Sequence, residues 1–184
     1  MIVTLVRHSQ VIHPYQNRYN GHIDIPLSEK GVTDAKVLAK RLSSLHFDKV
    51  YSSDLLRARQ TLDAFKVQQE VIYTQKLREK SWGRHEGKSF EEIREEGIEY
   101  IDFEQWIEAL DGEDFHLYTQ KIQNYFYETL FTQELDSILI VTHAGVIRTL
   151  LSIIKKISLE EAFSIPLPYS SFITLDTQTM QLKE

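Results

Sequence analysis

The chain has no cysteine, which excludes disulfides, thiolate nucleophiles and zinc or iron–sulfur sites built on sulfur ligands. It has only four prolines and seven glycines, with no Gly-, Pro- or Ser-rich linker and no internal repeat; Pro14, Pro26, Pro166 and Pro168 place loops near the two ends. No dense Lys/Arg run accompanies the net charge of −6, so the footprint of a nucleic-acid binder is missing. The first apolar run, Met1 to Val6, stops at Arg7-His8. It is too short to span a membrane and lacks the basic start and cleavage site of a signal peptide. The expected location is the cytoplasm, with neither membrane nor nucleic acid as partner. An H-E-x-x-H pattern is absent and so is a G-x-x-x-x-G-K-[ST] loop. No metal and no cofactor are expected.

What is present is ordinary globular composition, 42% hydrophobic and 26% charged over 184 residues, which suits one domain over residues 1–184. Three short apolar runs, each followed by a polar turn and a helical pattern, set the organisation. They are Ile2 to Val6, Lys49 to Ser52 (with Ser53 as the expected N-cap of the next helix) and Ile138 to Val141; Val71 to Tyr73 reads as a fourth strand. Buried runs alternating with helices predict an α/β fold: a three-layer sandwich with a mostly parallel sheet and helices on both faces. Ser28 is placed to cap one helix, and Ser89 with Glu92 and Ser158 with Glu161 have capping-box spacing. The aromatic helical stretch inside residues 80–130 interrupts the strand rhythm and predicts a cap insertion over one end of the sheet. Ser171 to Gln181 alternates like an edge strand or hairpin.

Ligands of open parallel sheets bind at the carboxyl ends of the strands. The residues there are Arg7 and His8 after the first run, Ser52, Ser53 and Arg57 after the second, and Thr142, His143, Ala144 and Gly145 after the third. Two arginines, two histidines and a fresh helix N-terminus on one rim describe a phosphate pocket. Arginine supplies planar, permanently charged donors for phosphoryl oxygens. Nearby guanidinium groups also push a histidine towards the neutral form that a nucleophile requires. Glu79, after the fourth strand, is the candidate general acid. His22 and His85, in loops expected to line the rim, are candidate substrate contacts; His46 and His116 read as surface residues.

These residues resemble the histidine phosphatase superfamily, the phosphoglycerate-mutase-like branch 1, over nearly the whole chain. Leu5-Val-Arg7-His8 resembles its opening signature, which implies His8 as the phosphorylated nucleophile and Arg7 as a phosphate ligand. Asn17 to Ser28, with Asn20, Gly21 and His22, resembles the loop that follows. Tyr51 to Thr61 resembles the second signature and implies that Arg57 binds phosphate. Leu77-Arg-Glu79 with Glu86-Gly87 implies Glu79 as proton donor. Val141 to Arg148 implies His143 as the second active-site histidine, with Ala144 beside it at the phosphate. The resemblance implies a cofactor-independent phosphomonoesterase, akin to histidine acid phosphatases, whose partner is a small phosphorylated metabolite. Chain size and the Gly21-His22 loop resemble compact bacterial members acting on α-ribazole 5'-phosphate.

Two departures stand out. Ser9 and Gln10 follow the Arg-His pair where the family usually has glycine and glutamate. Pro14 stands where many members place a phosphate-contacting asparagine, with Gln16, Asn17 and Asn20 as nearby amides. The competing readings are a mutase of the phosphoglycerate type and a binding or regulatory protein on the same scaffold. A homodimer stays open.

Overall fold

The computed structural model describes residues 1–183. Six strands form one sheet: β1 (Ile2–Arg7), β2 (Lys49–Ser53), β3 (Val71–Thr74), β4 (Ser137–Thr142), β5 (Phe172–Asp176) and β6 (Gln181–Lys183), in the order β3-β2-β4-β1-β5-β6. The pairs β3/β2, β2/β4 and β4/β1 are parallel. The last two strands run antiparallel as the hairpin expected at the edge. The helices are α1 (Glu29–Arg41), α2 (Leu56–Asp63), α3 (Phe90–Glu95), α4 (Phe103–Ala109), α5 (Phe115–Asn124), α6 (Ala144–Lys155) and α7 (Leu159–Ser164). None is long and apolar enough to cross a membrane.

The strand pleat explains the three layers. Along β4, Ile138 and Ile140 enter one core while Leu139 and Val141 enter the other, as a strand buried on both faces requires. The first core takes Val3, Leu5, Tyr118, Ile122, Phe126, Val146 and Leu150 from β1, α5, the turn after it and α6. The second takes Val6, Leu38, Val50, Ala58 and Leu62, with α1 and α2 as its cover. Each fully buried aliphatic side chain contributes about 1.5–3 kcal/mol relative to exposure. Ser28 caps α1 by accepting from Gly31 N–H. Both expected capping boxes are formed, at α3 and at α7.

Residues 80–130 divide between two packing units. Trp82, Ile93, Trp106, Ile107 and Leu110 form a hydrophobic cluster of their own around α3 and α4. Tyr118, Ile122 and Phe126, four residues apart and thus on one helical face, belong to the main sheet core instead. Residues from Phe115 onward therefore cover the sheet. Ser53 also departs from expectation. The N-cap of α2 is Leu55, without a side-chain cap, and Asp24 Oδ1 accepts from Leu56 N–H at 2.6 Å.

Candidate active site

β1 is the central strand, and its end carries His8 to the carboxyl edge, where its N–H donates to Thr142 O at 2.9 Å. The imidazole is buried, 7% exposed, with Nδ1 2.8 Å from the carbonyl of Ser9. A carbonyl only accepts, so Nδ1 carries the proton and Nε2 keeps its lone pair. The glycine usual at position 9 is thus not required for this contact. Burial first, then the charges of Arg57 and Arg7, hold His8 well below the usual histidine range. The ring is neutral and of fixed tautomer, with Nε2 bare, which is the form a nucleophile requires.

Around it stand the other predicted groups. Arg7 is stacked on Tyr169, with its Cζ 4.1 Å from the ring centroid, and donates through one Nη to Leu167 O. Arg57, 1% exposed, is clamped by carbonyls: Ile23 O at 2.9 Å, Asn20 O at 3.1 Å and Gly21 O at 2.7 Å. Burial pushes its pKa down to about 10, which still leaves it charged at neutral pH. His143 is fully buried, its ring 5.1 Å from that of His8 and edge-on to it. Its Nε2 meets Ser53 Oγ at 2.8 Å. Burial, then Arg57, hold it well below the usual range.

Three buried nitrogens here have no partner: Arg7 Nε, Arg57 Nε and His143 Nδ1. Orphaned buried donors are rare, and a tetrahedral oxyanion is the ligand that would satisfy both guanidinium N–H groups. If Ser53 donates to Nε2, His143 Nδ1 carries a proton and becomes a third donor. Among the described residues, no group of three His, Asp or Glu side chains is placed to hold a metal.

Glu79 reaches the same rim from the segment after β3. Its Oε2 accepts from Gly145 N–H at 2.9 Å, in the first turn of α6, and its Oε1 accepts from Tyr118 O–H at 3.1 Å. The approach is so close that a Cβ on Gly145 would sit 1.9 Å from Oε1. Ala144, Glu79, Arg7 and His8 all line one cavity of about 480 Å³. Its far wall is aromatic, with Tyr19, Trp82, Phe90, Tyr100 and Trp106, and Arg148 lies on the near side.

Of the four expected rim residues, Asn20 alone lines this cavity. Its Nδ2 is engaged by Tyr15 O, which leaves the buried Oδ1 unpartnered as an acceptor. One of the two Nδ2 hydrogens is thereby used, and the other stays available to the cavity. Gly21 is buried in the loop packing, where a Cβ would meet Lys80 O at 2.0 Å, and it serves Arg57 through its carbonyl. The His22 ring sits with Nε2 3.5 Å from Glu113. His85 is fully buried and accepts from Asp111 N–H on Nδ1 at 2.9 Å, so it fastens two loops of the cap instead of facing substrate.

Sequence reasoning passed over several groups. Glu86 accepts four backbone N–H bonds, from Gly21, His22, Ile23 and Trp82, and so shapes the loop that clamps Arg57. Ser53 orients His143, Tyr118 holds Glu79, and Tyr169 backs Arg7. Only the paired prolines around Leu167 marked that last segment as a loop.

A parallel sheet gathering two guanidinium groups, two neutral imidazoles and a carboxylate at its carboxyl edge defines an α/β enzyme that works on phosphate esters. The chain belongs to the histidine phosphatase superfamily (branch 1), which matches residues 3–183. It is 31% identical over 160 residues to the adenosylcobalamin/α-ribazole phosphatase of Salmonella typhimurium, covering 83% of this chain and 78% of that protein. It is 28% identical over 191 residues to a 2,3-bisphosphoglycerate-dependent phosphoglycerate mutase of Gloeobacter violaceus, covering 96% and 86%. The crystal structure of the α-ribazole phosphatase from Shigella flexneri superposes with a TM-score of 0.84 at 25% identity, covering 96% of this chain and 90% of that one.

Proposed function

We propose that the protein is a phosphomonoesterase that hydrolyses a small phosphorylated metabolite through a phosphohistidine on His8. The observation that carries this reading is the fixed tautomer of His8 beside the unpartnered nitrogens of Arg7, Arg57 and His143. His8 Nε2 attacks phosphorus while Arg7, Arg57, His143 and the Ala144 N–H hold the oxygens, whose charge spreads in the transition state. Glu79 protonates the leaving alkoxide, then takes a proton from the water that releases phosphate from His8. In the first step the ester P–O bond breaks and a P–N bond forms; in the second the P–N bond breaks as a P–O bond forms to the water oxygen, and the proton of that water goes to Glu79.

The proposed substrate is α-ribazole 5'-phosphate. Three features support it: the name of the Salmonella relative, the aromatic far wall, which suits a flat ring on the alcohol, and a cavity of drug-sized volume. The test is release of phosphate from α-ribazole 5'-phosphate, p-nitrophenyl phosphate and 3-phosphoglycerate, scored by kcat/KM, with acid-labile 32P trapped on the chain. His8→Ala is expected to lose both turnover and trapped label. Full activity in that variant would remove the mechanism, and isomerised phosphoglycerate without free phosphate would make the protein a mutase.

A further inference from the structure

Ser9, at a position where the resembling family usually has glycine, is a node. It is fully buried, and each of its polar groups meets a different element. Its N–H donates to Thr61 Oγ1 at 2.9 Å, and that hydroxyl donates in turn to Arg57 O at 2.7 Å, joining the nucleophile loop to α2. Its carbonyl takes the Nδ1 proton of His8. Its hydroxyl accepts from Ser170 Oγ at 2.7 Å.

Ser170 belongs to the segment before β5 that also supplies Leu167 and Tyr169 to Arg7. Tyr169 lies against both site residues, 4.1 Å from Arg7 Cζ and 5.5 Å from the His8 ring. Ser170 sits in the left-handed region at φ 57, where a residue other than glycine, Asn or Asp is uncommon and stays only when its surroundings hold it. What holds it is its N–H, 3.4 Å from His8 O, and its hydroxyl on Ser9.

We infer that Ser9 and Ser170 are positioning residues for the phosphoryl-transfer step. Their hydroxyl–hydroxyl bond fixes the Ser9 carbonyl that sets the His8 tautomer, and it pins the Tyr169 segment against Arg7. The inference rests on the phosphatase reading of His8. Without the bond, Thr61 still holds the Ser9 N–H, but the carbonyl that takes the Nδ1 proton is less firmly fixed, and with it the tautomer that keeps Nε2 bare. Arg57 and the aromatic wall keep their own contacts, so the loss falls on kcat.

The experiment compares the parent with Ser9→Ala, Ser170→Ala, the double variant and Ser170→Gly, using p-nitrophenyl phosphate. Each single alanine variant is expected to lower kcat about 3- to 10-fold, the equivalent of one hydrogen bond, with KM changed by no more than about twofold. The double variant is expected to match the poorer single one, because both remove the same bond. Ser170→Gly relieves the left-handed backbone, so it is expected to be at least as stable as the parent and still slow. A merely structural role predicts the opposite for that variant. Multiplying losses in the double variant, or parent kcat in Ser170→Gly, would overturn the inference. The 15N shifts of the His8 ring provide a readout that needs no turnover: Nδ1 protonated in the parent, mixed tautomers in the variants. A parent without turnover sinks the phosphatase reading, and a tautomer that stays fixed in the variants sinks this one.

Discussion

Gly145 shows how one missing side chain can set a reaction. Its N–H holds Glu79, and no Cβ fits between them. Gly145→Ala is expected to displace the carboxylate and lower kcat by about 10²-fold for an alkyl phosphate, the scale of a lost general acid. Measured as kcat/KM, which reports the step up to departure of the alcohol, the loss should be smaller for p-nitrophenyl phosphate, whose leaving group departs without a proton; equal losses in kcat/KM would separate Glu79 from leaving-group protonation. At this scale strand ends are legible in the sequence from apolar runs, and the structure brings Arg7, His8, Arg57, Glu79 and His143 together on that rim. The sequence is silent on Tyr169, and it marks Ser53 and Glu86 without revealing what they hold. Their work depends on partners far along the chain, such as the 2.8 Å pairing of Ser53 with His143, and no local pattern encodes that. His85 misled for the same reason: a histidine in a loop near the site reads alike whether it faces the cavity or a backbone amide.

Among the elements, the loop from Asn17 to Pro26 has no regular structure of its own and takes its shape from one carboxylate. Glu86 gathers the N–H groups of Gly21, His22 and Ile23 from that loop and of Trp82 from the cap. The loop then returns three carbonyls to Arg57 and caps α2 through Asp24. Glu86→Gln turns one acceptor oxygen into an NH₂ facing N–H donors. The expected outcome is a loss of about 2–3 kcal/mol in stability, read by urea denaturation, together with a raised KM as Arg57 loosens. An unchanged urea midpoint would show that water replaces the carboxylate without penalty. The sheet and the flanking helices were legible because their periodicity is local. The packing of residues 80–130 was not: the stretch holds α3, α4 and α5 joined by loops, and only the three-dimensional packing shows that α5 faces the sheet while α3 and α4 face the aromatic cluster.

For the molecule as a whole, two buried imidazoles make stability depend on pH. Burial, before any charge, depresses both His8 and His143, so the folded chain refuses protons that the unfolded chain accepts. Stability is then fully present above the unfolded histidine value of about 6.5 and falls as pH drops below it, by up to about 1.4 kcal/mol per pH unit for each histidine. Urea midpoints measured from pH 8 down to pH 5 should decline in the acid half, and a His8→Asn/His143→Asn variant should flatten the curve; a parent curve already flat across that range would contradict the neutral pair. The same depression keeps His8, the proposed nucleophile, unprotonated in mildly acidic medium. The sheet order has one more consequence. β1 leads directly into His8, yet its two neighbours come from the far end of the chain, with Ile2 opposite Ser137 on one side and Asp176 on the other. A fragment ending before Ser137 leaves that strand alone. The centre of the sheet is thus closed by pairings between the two ends of the chain, whose loop-closure cost is met before they reward it, and His8 meets His143 only where those ends have paired.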